Sequence, residues 1–560
     1  MASSDPNFGL SDSPMADTFS LIPATTVREW LNDDEEIAFF DVREAGEFGE
    51  GHPFFAVPLP YSRLELDIVR LAPRREVRIV LLDAGADDEA ISRRAARRLH
   101  ALGYTRLFVL KDGARGWAAA GYTLFKGVNV PSKTFGELVE HAYETPHISA
   151  ADLARLKTER APLILLDGRT VEEHTKMTIP GAVSCPNGEL AYRFGALAAD
   201  PRTPVVIHCA GRTRSIIGAQ LLRSLGVPNP VVALENGTQG WALAGLELER
   251  GSARRYPDSV EDSISSEARD RAASLAARFA VTTLDARAAQ AWLDAADRTT
   301  YLLDVRSAAE FARDGVPAAV HAPGGQLLQA TDQTIGVRRA RVLLVDYDGI
   351  RAPVMATWLV QLGLETALVQ ERDAHALKRH GPHATAHGPV EEDLIDADGL
   401  RKLRGAADVH VLDLRSSAAY RGGHPERARW SIRPRLAAAL EKARRSHRIV
   451  LLADSQELAA LAAFDLREAR FSDVSIAKDG IDTFRQAGYA IEASPRTPAD
   501  SERIDYLFFV HDRHEGNLDA ARAYLAWETG LIAQCAPDEL RQFCIDVQAA
   551  HADTLAQPIR

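Results

Sequence analysis

The chain has 560 residues, with 66 Lys and Arg against 78 Asp and Glu, a formal net charge of −12, and 46% hydrophobic residues. This length predicts three or four domains, and the acidic balance argues against nucleic acid or an anionic membrane as the main partner, because both favour a basic surface. No apolar window reaches the roughly 20 residues that span a bilayer. The polar residues 1–22 lack the basic and apolar regions of a signal peptide, so we expect a cytoplasmic protein.

An internal repeat organises the chain. Four apolar runs end in Asp, any residue, Arg, and each predicts a buried strand followed by a loop: Asp41 and Arg43, Asp167 and Arg169, Asp304 and Arg306, Asp413 and Arg415. A second apolar run follows each of them after 42, 42, 42 and 41 residues, ending at Asp83, Cys209, Asp346 and Asp454. A helical pattern and a third short apolar run then complete each copy. The repeat predicts four similar units.

Strands that alternate with helices predict α/β domains, because the helices supply right-handed crossovers between parallel strands. We therefore predict four tandem α/β modules, each a mainly parallel sheet flanked by helices, and a C-terminal helical tail in which YLFFV is a strand candidate. The predicted bounds are 1–22 for a polar tail, 23–131 and 132–256 for two modules, 257–277 for a linker, 278–386 and 387–496 for two more modules, and 497–560 for the C-terminal extension.

The second module is the copy that has a thiol at the end of its second strand. Its segment HCAGRTRS runs from His208 to Ser215, and ligands of open α/β sheets bind beyond such strand ends. The N–H groups that open the next helix and two nearby guanidinium groups stabilise an anionic sulfur, so we expect Cys209 to be largely thiolate at neutral pH. Gly211 would allow a tight turn whose N–H groups form an anion-binding nest. The alternative is an inert, buried cysteine.

Arg212 and Arg214 are candidates to hold an anionic donor, because a guanidinium binds two oxygens at once. Their alternative role is to cap a solvated loop. The other loop residues predicted to contact the substrate are Ala210, Gly211, Thr213 and Ser215.

The HCAGRTRS segment resembles the active-site loop of rhodanese sulfurtransferases. The Asp-x-Arg strand ends, MTIPGAVSCP and NGTQGWALAGL resemble further landmarks of that family in their usual order. The resemblance covers about residues 23–496 and implies four tandem rhodanese modules, of which the second has the active-site cysteine. It implies that Cys209 takes a sulfane sulfur from a donor such as thiosulfate, becomes a persulfide, and passes the sulfur to cyanide or a thiol. Neither a cofactor nor a metal is implied.

The resemblance also assigns supporting residues. Asp167 and Arg169 resemble the structural pair of the family, and the pair recurs in the modules without the thiol. Glu189 would orient an arginine or cap a helix, and Cys185 would be a resolving thiol or, as we favour, a packed residue. Three residues would lie on a loop that faces the active site: Asn187, Glu189 and Arg193.

The other modules have no thiol where Cys209 stands. Asp83 and Asp346 take its place in the first and third modules, whereas spacing and pattern leave Ser455, Ala453 or Asp454 open in the fourth. These modules could shape the site, bind an acceptor or mediate formation of a homodimer. The tail cluster HDRHEGN could reach another module's cleft, although surface packing is the favoured interpretation.

Three other functions stay open. Cysteine phosphatases also place His-Cys at a strand end, but four residues separate Cys209 from Arg214 here, one fewer than in their loops, which favours sulfur over phosphate. An arsenate reductase of rhodanese-like fold is a related alternative. A multi-module scaffold or sulfur carrier that delivers sulfur to a partner is the non-enzymatic one. The physiological donor, the acceptor and the pathway are not predicted.

Overall fold

The structure is a computed structural model that describes residues 18–85, 91–378, 393–514 and 516–550. The predicted polar N-terminal tail lies outside the described residues up to residue 17, as do Glu515 of the HDRHEGN cluster and the last ten residues. No helix among the described ranges is long and apolar enough to cross a membrane.

The first module contains five strands and five α-helices. They are β1 (Ser20–Ile22), α1 (Ala24–Asn32), β2 (Ile37–Asp41), α2 (Ala45–Glu50), β3 (Val57–Pro58), α3 (Leu64–Leu71), β4 (Arg78–Leu82), α4 (Ile91–Ala101), β5 (Leu107–Leu110) and α5 (Gly113–Ala119). The strands form a parallel sheet in the order β1-β5-β4-β2-β3.

The second module opens with a long helix and repeats the same sheet. Its elements are α6 (Val130–Tyr143), β6 (His147–Ile148), α7 (Ala150–Thr158), β7 (Ile164–Asp167), α8 (Val171–Lys176), β8 (Val183–Ser184), α9 (Asn187–Leu197), β9 (Val205–His208), α10 (Thr213–Ser224), β10 (Val231–Leu234) and α11 (Gly237–Leu243). The strand order is β6-β10-β9-β7-β8, again parallel.

A helix, α12 (Asp262–Arg278), leads to the third module. The elements of that module are β11 (Thr282–Leu284), α13 (Ala286–Leu293), β12 (Thr300–Asp304), α14 (Ala308–Asp314), β13 (Val320–His321), α15 (Gly324–Gln329), β14 (Arg341–Val345), α16 (Arg351–Gln361), β15 (Glu365–Val369) and α17 (Glu371–Ala374). Its parallel sheet has the order β11-β15-β14-β12-β13.

The fourth module adds a small antiparallel ribbon to the common sheet. Its elements are β16 (Leu394–Ile395), α18 (Ala397–Leu403), β17 (Val409–Asp413), α19 (Ser417–Gly422), β18 (His424–Pro425), β19 (Arg429–Trp430), α20 (Leu436–Ala439), β20 (Arg448–Leu452), α21 (Gln456–Glu468), β21 (Val474–Ala477), α22 (Ile481–Gln486) and β22 (Ile491–Glu492). The parallel sheet runs β16-β21-β20-β17-β19, and β18 pairs with β22.

The C-terminal tail is helical. Its helices are α23 (Phe508–His511), α24 (Leu518–Thr529), α25 (Leu531–Gln534), α26 (Pro537–Leu540) and α27 (Val547–Ala550). The expected strand at YLFFV is wrong, because Phe508 begins α23. The aromatic rings of this segment pack on one another and on α24, with Phe509 5.8 Å from the Tyr524 ring, and helical hydrogen bonds satisfy the backbone without a neighbouring strand.

Strand register identifies the residue that corresponds to Cys209 in each module. The Asp residues that end β2, β7, β12 and β17 pair with Leu82, His208, Val345 and Leu452, respectively. The next residue is Asp83, Cys209, Asp346 and Ala453, respectively. The fourth module therefore has Ala453 at this position, which spacing alone left open.

Strands β2, β7, β12 and β17 are largely buried because helices cover both faces of each sheet, as apolar parallel strands require. The Asp that ends each of these strands and the Arg two residues later form a buried ion pair in all four modules, with Nη2–Oδ2 distances of 2.7 Å in the second and 2.8 Å in the third. Each arginine also donates to the carbonyl oxygen eight residues further along the chain. The pair thus ties the strand to the end of the following helix.

Candidate active site

Cys209 directly follows β9, at the start of a tight loop that we name the Cys209 loop (residues 209–214). The side chain is 3% exposed. Ser215 donates a hydrogen bond from Oγ to the Cys209 sulfur over 3.1 Å, and the Cys209 carbonyl oxygen accepts from the N–H of Thr238 at 2.8 Å. Helix α10 begins at Thr213, so its unpaired N–H groups open toward this loop.

Gly237, which opens α11, allows a close backbone contact with the same loop. Its φ is +52°, and a Cβ at this position would lie 2.3 Å from the Cys209 carbonyl oxygen. A side chain would therefore be strained and would clash. This explains why a glycine stands at position 237 of the NGTQGW segment, shortly after β10.

His208 belongs to a buried polar cluster. Its Nε2 lies 3.7 Å from Asp167 Oδ2, and burial lowers its pKa to about 4. Burial also opposes ionisation of Asp167, but His208 and Arg169 outweigh it and hold its pKa well below the ordinary value. A neutral, buried His208 stabilises the strand end, and it accepts no hydrogen bond from the Cys209 thiol in the described structure.

Arg214 interacts electrostatically with the Cys209 thiol and is held by Glu173. Both terminal nitrogens of Arg214 bind the Glu173 carboxylate, at 2.7 and 2.8 Å. Burial disfavours its charge, but Glu173 first and Cys209 next outweigh this and raise its pKa. Burial likewise opposes ionisation of Glu173, yet Arg214 lowers the Glu173 pKa to about 2. Arg214 is thus a fixed cation beside the cysteine.

The Arg212 guanidinium faces helix α6. It donates to Glu137 at 2.8 and 3.0 Å and also pairs with Glu140. Burial raises the pKa of Glu137 to about 7 despite this pair. Arg212 therefore anchors the loop to α6, and its side chain is engaged away from the sulfur.

Asn187 stabilises the backbone of the Cys209 loop. Its side-chain Nδ2 donates to the Arg214 carbonyl oxygen at 2.8 Å, and its backbone N–H donates to the Gly168 carbonyl oxygen at 3.1 Å. Cys185 is fully buried nearby, and burial raises its pKa well above the ordinary value. This placement matches a packed residue and leaves Cys185 neutral.

Glu189 and Arg193 do not face the Cys209 loop, contrary to expectation. Glu189 accepts from Arg193 at 3.0 Å and from Arg351 of the third module at 2.8 Å. Arg193 also donates to the backbone carbonyl of Asp258 at 2.8 Å. Glu189 does orient an arginine, but on the side of α9 that contacts the third module, because the helix turns this face away from the loop.

Gly211 has a different role from the one expected. It does not adopt a positive φ, so the turn itself does not require glycine. A Cβ here would lie 3.0 Å from Glu528 Oε2 and 3.5 Å from both Gln239 Nε2 and a ring carbon of Tyr524. The missing side chain makes room for the C-terminal tail, which packs directly on the Cys209 loop.

Glu528 of α24 joins the tail to this loop and to α6. Its Oε1 accepts from Thr213 Oγ1 at 2.8 Å and from Lys133 Nζ at 3.3 Å. Glu528 is 1% exposed. Burial opposes its ionisation, but Lys133 and Thr213 outweigh it and lower its pKa. Arg513 of the HDRHEGN cluster stacks on Tyr524 at 3.5 Å, so this cluster supports α24 next to the second module.

The thiol-free modules reveal what the strand-end loop binds. In the third module the Asp346 carboxylate accepts backbone N–H groups from Gly349 and Ile350 at 3.0 Å and from Ala352 at 2.7 Å. Burial raises the pKa of Asp346 to about 7, and the Asp348 carboxylate adds to this, while the Ala352 N–H opposes it. The loop thus surrounds the Asp346 carboxyl group with backbone N–H groups, although burial leaves this group only partly ionised at neutral pH.

The first module has the same arrangement. Asp83 accepts from the N–H groups of Gly85 at 2.9 Å and Ser92 at 3.0 Å, and from Ser92 Oγ at 2.7 Å. Ser92 therefore binds the Asp83 carboxylate as Ser215 binds the Cys209 sulfur. In the first and third modules, the residue that corresponds to Cys209 therefore accepts the N–H groups of its loop.

Several residues of the site escaped the sequence prediction. Glu173 could have been found, because Thr170 and Glu173 form a capping box whose spacing is visible in the sequence. Glu137 and Glu528 have no local signal, since they reach the loop from other elements. The third module repeats the Arg214–Glu173 pair as Arg351 and Glu310.

The fold and the site together define a tandem α/β protein with a nucleophilic cysteine at one strand end. Residues 23–120 and 149–244 match the model of the rhodanese-like domain. The structure is similar to the thiosulfate sulfurtransferase of Pseudomonas aeruginosa, with a TM-score of 0.86 and 39% identity over 94% of this chain and 99% of that one. The chain therefore belongs to the rhodanese-like family, as four tandem modules of which the second has the strand-end cysteine.

A curated relative matches a smaller part. An HTH-type transcriptional regulator of Mycobacterium tuberculosis is 33% identical over 113 residues, which are 20% of this chain and 48% of the regulator. The chain thus spans about half the length of that relative.

Proposed function

We propose that this chain is a sulfurtransferase that moves a sulfane sulfur from a donor such as thiosulfate, through a persulfide on Cys209, to cyanide or a thiol. The observation that carries the proposal is the loop at this strand end. In the first and third modules a carboxyl group accepts backbone N–H groups there, whereas in the second module Ser215 Oγ donates to the Cys209 sulfur at the corresponding position. We infer that this hydroxyl, the start of helix α10 and the Arg214 cation favour an anionic sulfur.

The chemistry needs no general base. The Cys209 thiolate attacks the outer sulfur of thiosulfate, the sulfur–sulfur bond of the donor breaks, and sulfite leaves with the electron pair. The persulfide anion that remains has the charge of the thiolate it replaces. A cyanide or thiolate acceptor then attacks the outer sulfur, and Cys209 leaves as thiolate, so no proton is transferred in either step.

The loop residues have distinct parts in this proposal. By register with the third module, the N–H groups of Arg212 and Thr213 correspond to those of Gly349 and Ile350, which donate to a carboxylate. These groups would hold the persulfide. Arg214, oriented by Glu173, would attract the anionic donor. The similar solved structure from Pseudomonas aeruginosa is named for thiosulfate, which supports thiosulfate as the first donor to test.

Mass spectrometry of the intact protein tests the proposal. After incubation with thiosulfate we expect a mass increase of one sulfur atom, located on the peptide with Cys209 and lost on addition of cyanide with release of thiocyanate. The variant Cys209→Ser is the control and should gain nothing, whereas Cys185→Ser should behave as the wild type. Absence of the adduct with thiosulfate and with other sulfane donors, together with turnover of an aryl phosphate, would refute sulfur transfer in favour of a phosphatase.

A further inference from the structure

A second candidate site is a cavity of about 110 Å³ where the first and third modules meet the tail, and Cys209 is not among its lining residues. Its apolar walls include Phe55 before β3, Ile335 and Val337 before β14, and Phe543 after α26. A volume of this size holds several water-sized groups, enough for a small organic molecule.

The segment that carries the cavity's polar groups is held rigidly. The Tyr301 hydroxyl oxygen accepts from the N–H groups of Gly336 at 3.2 Å and Val337 at 3.1 Å. The N–H of Arg338 donates to the Ile37 carbonyl oxygen of the first module at 2.9 Å. The cavity is therefore preformed, as small-molecule sites usually are.

Arg338 brings a positive charge to the cavity. Its guanidinium lies over the Phe55 ring at 3.5 Å and donates to Gln542 Oε1 at 3.0 Å. Its Nε is buried without a hydrogen-bond partner, and no carboxylate among the described residues forms an ion pair with it. Burial, assisted by the neighbouring Arg339, lowers its pKa to about 9. A half-buried cation without a counter-ion is costly, so an anion would be stabilised here.

Asp332 lines the same cavity. Its Oδ1 is buried without a hydrogen-bond partner, and burial raises its pKa to about 6. Asp332 and Arg338 both line the cavity and form no ion pair with each other, so Asp332 Oδ1 and Arg338 Nε are each left without a hydrogen-bond partner. A ligand that satisfies both must carry an anionic group and a hydrogen-bond donor.

We propose that this cavity binds a small organic acid that carries a hydroxyl or amino group next to its carboxylate, the class of α-hydroxy and α-amino acids. The carboxylate would bind Arg338, and the neighbouring O–H or N–H would donate to Asp332. The short carbon chain would contact Phe55, Val337 and Phe543. This site is independent of the sulfur chemistry at Cys209.

Isothermal titration calorimetry of the full chain with L-lactate and L-alanine tests the site, because neither probe contains sulfur. We expect saturable binding of at least one of them, and binding at least about tenfold weaker for propionate, which lacks the donor, and for L-alaninamide, which lacks the carboxylate. Arg338→Gln should weaken binding by about tenfold or more, while Arg372→Gln, an 81% exposed arginine, should not.

Arg338→Lys is the second variant, since it keeps the positive charge but loses the planar guanidinium group. It should fold and bind the probes more weakly than the wild type, so it tests the site even if the Arg338→Gln protein unfolds. Equal binding of the probes by wild type and Arg338→Lys would overturn the proposal, as would no binding of L-lactate or L-alanine by the wild type. Sulfur uptake by Cys209, measured on the same samples, separates failure of this site from failure of the proposed sulfur transfer.

Discussion

The contact between the C-terminal tail and the Cys209 loop should hold this loop closed. Replacing Glu528 by Ala removes the carboxylate that binds both Thr213 and Lys133. The side chains of Lys133 and Glu528 are 8% and 1% exposed, so Lys133 would be left as a buried, unpaired charge. Removing one partner of a buried pair costs about 3 to 5 kcal/mol. We expect this cost to appear as local opening of the loop, because the pair joins α24 to α10 and α6.

Hydrogen exchange measures that opening directly. A cost of about 3 kcal/mol corresponds to exchange of the loop amides roughly 100-fold faster, and we expect the specificity constant for thiosulfate to fall with it. Asp519→Asn on the same helix is the matched control, because the Asp519 side chain is 94% exposed. Its exchange and turnover should equal those of the wild type.

The double variant Lys133→Met with Glu528→Leu shows whether the loop opens because Lys133 is left unpaired or because side-chain packing is lost. Apolar replacement of both partners of a buried pair is often neutral, so we expect slow exchange to return in this variant. The bond from Thr213 stays lost, so activity should recover only in part. The reasoning is refuted if Glu528→Ala leaves exchange of residues 209–215 unchanged, or if the double variant opens as readily as Glu528→Ala.

Three further predictions follow from the site. Arg214→Ala should lower the specificity constant for thiosulfate at least about tenfold, whereas Asp83→Asn in the first module should leave it unchanged; comparable losses measured by thiocyanate release would contradict this. Arg212→Gln should raise loop exchange without a matching loss of donor affinity, since its guanidinium binds α6; a loss confined to the KM for thiosulfate would count against that role. His208 has a folded-state pKa of about 4 against an ordinary 6.5, so its contribution of about 3 kcal/mol is present above pH 6.5 and lost as the pH falls toward 4; His208→Gln should flatten urea-unfolding stability in that window, and an unchanged profile would refute the assignment.

The four-module fold was predictable because the repeat uses short-range signals. Apolar runs that end in Asp-x-Arg, spaced by a nearly constant interval, define two adjacent parallel strands in each copy. The position of Cys209 followed from the same pattern. The fourth module shows where this reasoning stops. Ala453 takes the thiol position there, but only the pairing of Asp413 with Leu452 decides it, since the interval from Asp413 to Ala453 is two residues shorter than in the other modules.

The contacts around the loop were less predictable, because they join distant segments. Thr213 and Glu528 are 315 positions apart, and Arg212 reaches Glu137 across 75. Nothing in a local pattern pairs such residues. Glu189 was assigned to the site from its position after the MTIPGAVSCP landmark, but α9 is long enough that its buried faces meet two modules, and Arg351 of the third module binds this one.

Comparison of the four strand ends explains why the proposed sulfur transfer would be confined to the second module. The first and third loops keep the N–H cradle but fill it with their own carboxylates, Asp83 and Asp346. A free anionic donor would have to displace a covalently tethered carboxyl group that is already hydrogen-bonded, and neither module has a nucleophile to trap the sulfur. Ala453 has no polar side chain at all. The two carboxyl groups thus occupy the loops of the first and third modules, so under the proposed function a donor would react only at Cys209.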